Sequence, residues 1–482
     1  MEFVGRQDEL ERLGRFVASP GAAIAAVYGR RRIGKSSLIR QALQGREPLF
    51  FDALEERPRR EQIAHFLFQL QQQLENSDSP RFPAFVAPPA SWKEAFLLLF
   101  QVIKDTPRPV VFDELQWMAN YRHELVSDLK YVWDGFFATI PGQKLILCGS
   151  IASFMINKVI KSSALYGRID AQIELTGFRL AETRELLTGR GVDEILRAHM
   201  ITAGVPKYLR LLSEYSSVQL AIQDLAFTPN GYLSTEYERI FTSHFGKKPH
   251  FARLVRALAE HPLGLYREDL ARSAGVTPGG QLTQQLRDLE SAGFISAVTP
   301  FNKGDESRHI KYFLSDAYLR FYFSFIRPNL QKIRTRQSVD LFNAIATSGA
   351  YHAWMGRSFE YLCLQHADLI ARELGFRGID FTAGPYFSPA RDGKNGVQID
   401  LLFDRADDVI TVCEMKYSRH PPGVEAIEEM EKKLELLARI AGRKTLQRVL
   451  IVRGKVSRAL TAAGYFYRVI DALEAFLTDP RP

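Results

Sequence analysis

Two groups of residues in this chain have the types and spacing needed for phosphate chemistry. The first is the run of residues 29–36, which fits the pattern G-x-x-x-x-G-K-[ST] and follows the apolar stretch 22–28. In that pattern backbone amides face the phosphates, Lys35 reaches the terminal phosphates and Ser36 ligates Mg²⁺. The pattern therefore predicts a nucleotide-binding loop, the alternative being an ordinary turn between a strand and a helix.

Two acids follow a second apolar stretch, residues 109–112. Asp113 is expected to hold Mg²⁺ through water or the Ser36 hydroxyl, and Glu114 to polarise the attacking water. A third apolar stretch ends at Ser150, whose hydroxyl is placed to sense a γ-phosphate. Either acid alone could cap a helix, and Ser150 alone could be a turn residue. Together they favour hydrolysis over binding.

The second group lies near the end of the chain. Asp400 occupies one predicted strand, and Glu414 and Lys416 occupy the next. We expect a hairpin with its turn near Ala406, which pairs Asp400 with Val412. Strand alternation then puts the two carboxylates and the lysine on one face. Such carboxylates bind Mg²⁺ or Mn²⁺, and the ammonium can orient or deprotonate an attacking water.

The environment of these acids needs a physical cause. Burying an unpaired carboxylate costs several kcal/mol, and the neighbours of Asp400 and Glu414 are apolar. Glu360, on a predicted helix over residues 350–373, is placed to be a further acid of a metal site. The alternative is a purely structural cluster of salt bridges.

Composition sets the class of protein in which these groups act. The 482 residues are 46% hydrophobic and 24% charged, which predicts a soluble protein of about three domains. No apolar run approaches the roughly 20 residues of a membrane span, and the N-terminus lacks a signal pattern, so we expect a cytoplasmic protein without membrane contact. Cys148, Cys363 and Cys413 are too far apart for a C-x-x-C site and are expected in the cores.

Charge is concentrated in one segment. The formal net charge is +8, and residues 436–470 contain no Asp or Glu but eight basic residues: Arg439, Arg443, Lys444, Arg448, Arg453, Lys455, Arg458 and Arg468. This basic segment is either a solvated helical face or a phosphate-binding surface. The second interpretation makes DNA a partner.

Residues 250–314 have a different pattern. Three short helices are followed by two strands joined by a polar turn over residues 302–308, which is typical of a winged helix. Its third helix presents side chains suited to a major groove: Gln281, Gln284, Gln285 and Arg287. That helix also carries Asp288 and Glu290, so we favour a structural role as a lid of the nucleotide-binding domain.

Two residues between Ser150 and the segment 250–314 complete the candidate nucleotide site. Arg168 follows Tyr166-Gly167 in a predicted loop, where it is either a charge-neutralising finger, in cis or toward a neighbouring subunit, or a surface arginine. Pro206 opens a predicted helix and pre-sets its turn.

Several segments together resemble the archaeal-type P-loop ATPases of the AAA+-related STAND group: residues 3–10 (F-V-G-R-x-x-E-L), 28–36, 113–114, 149–150, 166–168 and 204–209. The resemblance implies that Val4, Gly5 and Pro206 contact the base and ribose. The family usually has a second glycine where this chain has Ala203. The implied ATP and Mg²⁺ contacts are Val4, Gly5, Gly29, Arg32, Ile33, Gly34, Lys35, Ser36, Ser37, Asp113, Ser150, Arg168 and Pro206.

The acids near the end of the chain resemble those of the restriction-endonuclease-like PD-(D/E)xK nuclease superfamily. The resemblance implies that Asp400 and Glu414 are metal ligands, Lys416 the catalytic lysine, Glu360 an accessory acid and Gln398 an outer-shell group. Ile399 stands where a proline often precedes the aspartate. Such a domain occurs at the C-terminus of many of these ATPases, and the basic segment follows where the DNA path would lie.

The predicted architecture is α/β throughout. It consists of a P-loop ATPase core (1–175), a helical lid (176–245), a winged helix (246–330) and a nuclease-like domain (331–482). The predicted function is an ATP-hydrolysing, Mg²⁺-requiring protein whose nucleotide state controls DNA cleavage in prokaryotic genome defence. The alternative is a nucleotide-switched DNA-binding or scaffold protein with an inactive nuclease-like domain. A homo-oligomer or a partner protein is compatible with either.

Overall fold

The computed structural model describes residues 3–75, 88–245, 248–299, 310–335, 340–388, 397–418, 420–438 and 441–478. The chain divides into two compact units. The first comprises residues 1–178, 205–207 and 284–292, and the second comprises the remainder. Within the described residues, every helix is too short or too polar to cross a bilayer.

The first unit is built on a parallel sheet of five strands in the order β2-β3-β4-β1-β5. Every residue of β1 and of β4 is buried, as expected for central strands covered on both faces. In this order β4 lies between β1, which precedes the glycine-rich loop, and β3, which ends at Asp113. The strands are β1 Ala23–Tyr28, β2 Leu49–Asp52, β3 Val110–Asp113, β4 Lys144–Gly149 and β5 Ile169–Glu174.

Helices cover both faces of this sheet. Ile24 and Ala26 of β1 belong to a core cluster on one face, and Ala25 and Val27 belong to a cluster on the other, because strand side chains alternate. The helices are α1 Gln7–Ala18, α2 Lys35–Ala42, α3 Arg59–Glu75, α4 Trp92–Ile103, α5 Leu115–Met118, α6 Glu124–Gly135 and α7 Ala152–Phe154, with a 3₁₀ turn at Phe137–Thr139 and a π-helical segment at Met155–Ile160.

Five helices follow the first sheet in the chain. They are α8 Leu180–Leu186, α9 Val192–Thr202, α10 Pro206–Ser213, α11 Val218–Phe227 and α12 Tyr232–Phe245. Helix α10 begins at Pro206, as predicted. The first compact unit runs to Phe178, and the boundaries predicted between the remaining domains stay predictions.

The next segment contains three helices and a small antiparallel sheet. The sheet has the order β6-β8-β7, and Gly275, with a φ of 60°, ends the second helix in a left-handed conformation. The short strand β6 was not predicted, and the predicted turn 302–308 lies outside the described residues. The elements are α13 Pro249–Glu260, β6 Leu265–Tyr266, α14 Arg267–Ala274, α15 Gly280–Ser291, β7 Ile295–Val298 and β8 Lys311–Leu314.

The chain ends in a mixed sheet of five strands with the order β13-β12-β11-β10-β9. Strands β9, β10 and β11 pair antiparallel, and β11, β12 and β13 pair parallel. The strands are β9 Phe381–Ser388, β10 Val397–Arg405, β11 Val409–Lys416, β12 Thr445–Val452 and β13 Arg468–Asp471. The helices from residue 317 onward are α16 Ala317–Phe321, α17 Leu330–Arg334, α18 Leu341–Ala346, α19 Gly349–Gln365, α20 Ala367–Glu373, α21 Glu425–Leu437, α22 Arg458–Ala463 and α23 Ala472–Leu477, with a π-helical segment at Tyr322–Ile326 and a 3₁₀ turn at Arg327–Asn329.

The predicted hairpin register is wrong by two residues. Val412 pairs with Leu402, not with Asp400, because the turn is centred one residue later than Ala406. Continuing the observed register by one residue places Asp400 opposite Glu414. A shift of two residues leaves each side chain on its original face, since strand side chains alternate with a period of two. The prediction that the acids share a face therefore survives the register error.

A buried histidine joins helices within the second unit. The Nδ1 atom of His199 lies 2.8 Å from the Thr183 hydroxyl, and its ring centroid lies 6.1 Å from that of His366. Burial, followed by the charge of His366, lowers the pKa of His199 to about 3. The folded protein therefore holds this imidazole neutral at any pH above that value.

This histidine predicts a loss of stability in acid. Between pH 3 and the ordinary histidine pKa of about 6.5, the unfolded chain binds a proton at His199 that the folded chain does not. The free energy of unfolding is therefore not lowered by His199 above pH 6.5. It decreases as the pH falls toward 3, by on the order of 4 kcal/mol in total. Urea unfolding at a series of pH values should show a shallower acid decline for His199→Leu than for the wild type. Equal declines would contradict the prediction.

Candidate functional site

The glycine-rich loop has a backbone that only glycine accommodates at its first position. Gly29 has a φ of 145°, and a Cβ there would lie 2.2 Å from the Leu175 carbonyl oxygen and 2.6 Å from Cδ1 of Ile33. Arg32 and Gly34 have φ values of 72° and 91°, and helix α2 begins directly afterwards. The loop thus wraps around the N-terminus of a helix, which is the geometry that binds phosphate.

The structure brings Lys35, Ser36 and Asp113 to this loop. The Lys35 ammonium is buried and donates hydrogen bonds to the carbonyl oxygens of Gly29, at 3.1 Å, and Arg30, at 3.0 Å. The Ser36 hydroxyl donates to Oδ2 of Asp113 at 2.5 Å. A hydroxyl and a carboxylate in contact are the pair that the sequence predicted as Mg²⁺ ligands. Ser37, in contrast, is exposed on α2.

Glu114 and Ser150 belong to one hydrogen-bonded network. The Ser150 hydroxyl donates to Oε2 of Glu114 at 2.6 Å. Gln116 donates from Nε2 to the same Glu114 oxygen and to the Ser150 hydroxyl at 3.1 Å. Glu114 itself has a φ of 52°, a left-handed conformation that costs a non-glycine residue about 1–3 kcal/mol. Strain at a hydrogen-bonded carboxylate is typical of a functional position.

Gln116 is a site residue that sequence reasoning missed. Its side chain is fully buried, and its amide connects the ends of β3 and β4 through Glu114 and Ser150. The available signal was its position two residues after Glu114, at the start of the short helix α5. A buried amide that bridges two predicted site residues positions both of them.

A second residue that sequence reasoning missed is Arg6. Its buried guanidinium donates to the carbonyl oxygen of Ile33 at 3.2 Å and to that of Thr176, and it forms an ion pair with Glu9 at 3.1 Å. Arg6 thereby connects the N-terminal segment to the glycine-rich loop. The predicted base contacts Val4 and Gly5 directly precede it in the chain.

The acids of the C-terminal sheet are held together by a lysine from helix α21. The Lys433 ammonium contacts Oε2 of Glu414 and lies 3.6 Å from Oδ2 of Asp400. Lys416 lies 3.0 Å from Oε1 of Glu414 and also pairs with Glu429. The structure therefore brings the three predicted residues into one cluster and adds two that were not predicted. The missed signal was the four-residue spacing of Glu429 and Lys433, which places both on one helical face.

Burial and charge act in opposite directions on these carboxyl groups. Burial raises the pKa of Asp400, against the opposing effect of Lys433. Burial also disfavours ionisation of Glu414, but Lys433 and Lys416 outweigh it and lower the pKa of that group. Among the described residues, no three His, Cys, Asp or Glu side chains cluster closely enough to hold a metal ion by themselves. The donor set here is thus a carboxylate pair.

Glu360 and Gln398 lie at a cavity beside this cluster. The cavity has a volume of about 520 Å³, and Glu360 of α19, Gln398 and Asp400 all line it. Burial, followed by the charge of Asp400, raises the pKa of Glu360 to about 7. The predicted accessory acid and outer-shell group therefore share a cavity with a predicted metal ligand.

Comparison with known proteins addresses the first of the two sites. Residues 3–212 match the family model described as an ATPase domain predominantly from Archaea. The chain carries an archaeal-type ATPase domain. The match includes the glycine-rich loop, the Ser36–Asp113 contact, the Glu114 network and Pro206. The prediction of an archaeal-type ATPase domain is confirmed, and this family match ends before the acids of the C-terminal sheet.

Three individual proteins are similar to this chain, and among them the Pyrococcus abyssi structure supports the fold. An uncharacterized protein of Methanocaldococcus jannaschii, MJECL04, is 24% identical over 366 residues, which cover 74% of this chain and 75% of that protein. The Walker-type ATPase PABY2304 of Pyrococcus abyssi superposes with a TM-score of 0.51 at 22% identity, covering 67% of this chain and 96% of that chain. A STAND protein with a tetratricopeptide repeat sensor, from Pyrococcus horikoshii, superposes with a TM-score of 0.29 at 16% identity, covering 78% and 56% of the two chains.

Arg168 of the ATPase domain has a partner on helix α6. Its guanidinium donates to both carboxylate oxygens of Asp134, at 2.7 and 2.9 Å, and Lys130 lies 3.2 Å from the same carboxylate. These hydrogen bonds lower the pKa of Asp134. The pair holds Arg168 on its own domain in this structure, and the finger role stays a prediction.

The residue that departs from the family pattern ends helix α9. Ala203 has a φ of 55° and a ψ of 30°, so it occupies a left-handed position directly before Gly204. A residue with a Cβ loses roughly 1–2 kcal/mol in that conformation. The conformation gives a physical reason for the glycine that the family usually has there.

Ala203→Gly is accordingly expected to stabilise the protein. We expect a gain of up to about 1 kcal/mol, because relief of the strain exceeds the entropy lost by glycine. Ala198→Gly, in the interior of the same helix, should instead destabilise the protein by about 1 kcal/mol or more. Urea denaturation of both variants measures the difference. A loss of stability in Ala203→Gly would contradict the prediction.

Much of the basic segment contacts the protein itself. Lys444 pairs with Asp404 at 2.5 Å, Arg468 pairs with Glu373 at 2.9 Å, and Arg453 pairs with Asp193. Arg448 stacks on the ring of Tyr465 at 4.3 Å. Arg443, Lys455 and Arg458 are exposed, whereas Arg439 lies outside the described residues. A DNA surface in this segment would consist of a smaller set than the sequence predicted.

Proposed function

We propose that this protein is an ATPase whose nucleotide state controls a metal-dependent DNA nuclease site in its C-terminal part, in prokaryotic genome defence. The observation that carries the proposal is the cluster of Asp400, Glu414 and Lys416 around the Lys433 ammonium. The nuclease resemblance assigns the role of metal ligands to Asp400 and Glu414 and the role of catalytic lysine to Lys416.

The chemistry of the cluster fits a divalent cation. Lys433 supplies a positive charge between two carboxylates, and such a position also suits Mg²⁺ or Mn²⁺. Magnesium is commonly bound by only one or two carboxylates, with water and substrate phosphate as further ligands. Asp400 and Glu414 would hold the metal, which would stabilise negative charge on the phosphate under attack. Lys416 would orient or deprotonate the attacking water.

The ATPase domain supplies the residues for nucleotide hydrolysis. Lys35 would release its two carbonyl contacts and bind the terminal phosphates, and Ser36 and Asp113 would hold Mg²⁺. Glu114 would orient and polarise the attacking water, while Ser150 responds to the γ-phosphate through its hydrogen bond to that carboxylate. Binding or loss of the γ-phosphate would then change the positions of Glu114 after β3 and Ser150 after β4.

The segment from α13 to β8 is proposed to be a winged helix that serves as a lid of the nucleotide-binding domain. Its order of elements, α13-β6-α14-α15-β7-β8, supports this assignment. Residues 284–292, which include the C-terminal two thirds of α15, belong to the compact unit of the ATPase domain. A helix that is part of that unit is less available to bind in a DNA groove, and this favours the role of a lid.

A second candidate is a nucleotide-switched DNA-binding or scaffold protein with an inactive nuclease fold. Its support is that every charged group of the cluster already has a partner: Glu414 pairs with two lysines, and Lys416 also pairs with Glu429. A cluster with satisfied charges can be purely structural. The two candidates differ in whether DNA is cut.

The deciding experiment is incubation of the purified full-length protein with single- and double-stranded DNA. Mg²⁺ or Mn²⁺ is supplied, with and without ATP. We expect cleavage that requires metal and changes with ATP, and that disappears in Glu414→Ala and Lys416→Ala. Exposed residues of α21 provide matched controls, since Glu435→Ala and Lys432→Ala should cut normally. Absence of metal-dependent cutting on every substrate would refute the nuclease and leave the second candidate.

A further inference from the structure

We propose that the 520 Å³ cavity beside the acidic cluster binds one unstacked nucleotide of a nucleic acid strand, so that the protein acts on single-stranded or splayed DNA. This inference rests on the proposed nuclease function and names its substrate class. The cavity lies within the second compact unit, between the small sheet β6-β8-β7 and the elements α19, β9 and β10.

The size of the cavity excludes a duplex and admits a single nucleotide. Pockets for small ligands have volumes of roughly 300–1,000 Å³, which includes the observed value. The major groove of a duplex alone is ~12 Å wide, so a paired helix cannot enter a space of this volume. A nucleotide must leave its stack before it can occupy the cavity, as happens in enzymes that extrude a base.

One wall of the cavity is suited to the face of a base. Phe313 and Phe387 line it and stack on each other, with ring centroids 5.3 Å apart and planes inclined by 25°. The Lys311 ammonium lies 4.6 Å from the centroid of the Phe387 ring. Val298 and Leu263 add apolar surface to the cavity, and 63% of the Leu263 surface is exposed. Aromatic side chains bind bases of any identity by stacking, since every base has a π-face.

The cavity also offers polar groups suited to base edges and phosphate. Gln365 and Gln398 both line the cavity, and each amide provides donors and an acceptor. Arg357 supplies a guanidinium, whose geometry matches phosphate. Gln398 pairs with Phe387 across β10 and β9, so a base that stacks on Phe387 would have this amide beside it, and Arg357 would bind its phosphate.

The position of Asp400 connects the cavity to the chemistry. Asp400 lines the cavity and also lies 3.6 Å from the Lys433 ammonium that contacts Glu414. A nucleotide in the cavity therefore has an adjoining phosphodiester within reach of the carboxylate pair. Because unstacking costs a few kcal/mol in a duplex and less in a free strand, single-stranded and splayed substrates should bind better.

Binding measurements on the full-length protein test this inference without requiring cleavage. Fluorescence anisotropy compares a labelled 12-nucleotide thymidine strand with the corresponding duplex in EDTA. We expect the single strand to bind more tightly. Phe387→Ala should weaken single-strand binding by about 5- to 100-fold, which is the range of one lost stacking contact. Phe387→Trp should restore it, and Phe68→Ala, an exposed aromatic of the ATPase domain, should have no effect.

A second variant separates loss of the site from loss of folding. Val298→Trp leaves both phenylalanines in place and fills the cavity, so it should also weaken single-strand binding while ATP turnover stays unchanged. The inference is overturned by equal affinity for strand and duplex, by unchanged affinity in both variants, or by binding of free thymidine monophosphate without binding of the strand. Strand binding that depends on Phe387 in a protein that does not cut DNA would sustain the inference and refute the nuclease. Cutting that is indifferent to Phe387 would do the reverse.

Discussion

Glu114→Gln is expected to lower ATP turnover by ~10²–10⁴-fold while ATP binding is retained, the range for removal of a general base. Glutamine has nearly the shape of glutamate, so it preserves the contacts around Ser150 and Gln116. It cannot accept the proton of the attacking water. The measurement is the steady-state rate of phosphate release, together with binding of a fluorescent ATP analogue.

Two further variants serve as controls for Glu114→Gln, one that should lose nucleotide binding and one that should behave as the wild type. Lys35→Ala should lose nucleotide binding, because the ammonium is the only positively charged side chain that the loop motif directs at the terminal phosphates. Glu124→Gln, at an exposed glutamate of α6, should turn over normally. Wild-type turnover in Glu114→Gln would show that another group activates the water.

Lys433→Met is expected to destabilise the protein by about 3–5 kcal/mol in EDTA, because it leaves the buried pair Asp400 and Glu414 without the ammonium between them. Methionine retains most of the lysine stem, so the loss is mainly electrostatic. A divalent cation that binds the carboxylates should then stabilise the variant more than the wild type. Thermal unfolding with and without Mn²⁺ measures both effects.

Lys432→Met, one residue earlier on the exposed face of α21, is the matched control and should melt as the wild type does in both conditions. If Mn²⁺ fails to stabilise Lys433→Met, the carboxylate pair does not bind metal and the proposed nuclease mechanism is wrong. If Lys433→Met is as stable as the wild type in EDTA, the ammonium does not hold the pair together. Both outcomes are independent of any DNA substrate.

Motifs that combine a short pattern with a flanking strand were predictable from local sequence. The glycine-rich loop, Asp113, Glu114 and Ser150 each follow a buried apolar run, and parallel strands place their carboxyl ends at one edge of a sheet. The contact between Ser36 and Asp113 follows from this rule although 77 residues separate them. The shared face of Asp400 and Glu414 was predictable for a similar reason, since it depends only on the parity of the strand.

Other site residues were not predictable, because their role depends on packing. Gln116 belongs to no motif, and the motif of residues 3–10 contains Arg6 without indicating its partners. The hydrogen bonds of both residues exist only once distant strands and loops are brought together. The hairpin register was wrong because the exact centre of a turn is set by local backbone geometry. The sequence overestimated the number of free basic residues in the basic segment. Their acidic partners, such as Asp193 and Glu373, are far away in the sequence.

The sequence by itself determined the ATPase domain and the face on which the second group of acids lies, because both follow from short-range spacing and strand alternation. Only the tertiary structure decided what surrounds those acids. Lys433 and Glu429 come from a helix after the hairpin, and the cavity is formed by segments as distant as Leu263 and Asp400. Cavities and charge pairs of this kind depend on the three-dimensional packing of whole elements, which no local pattern encodes.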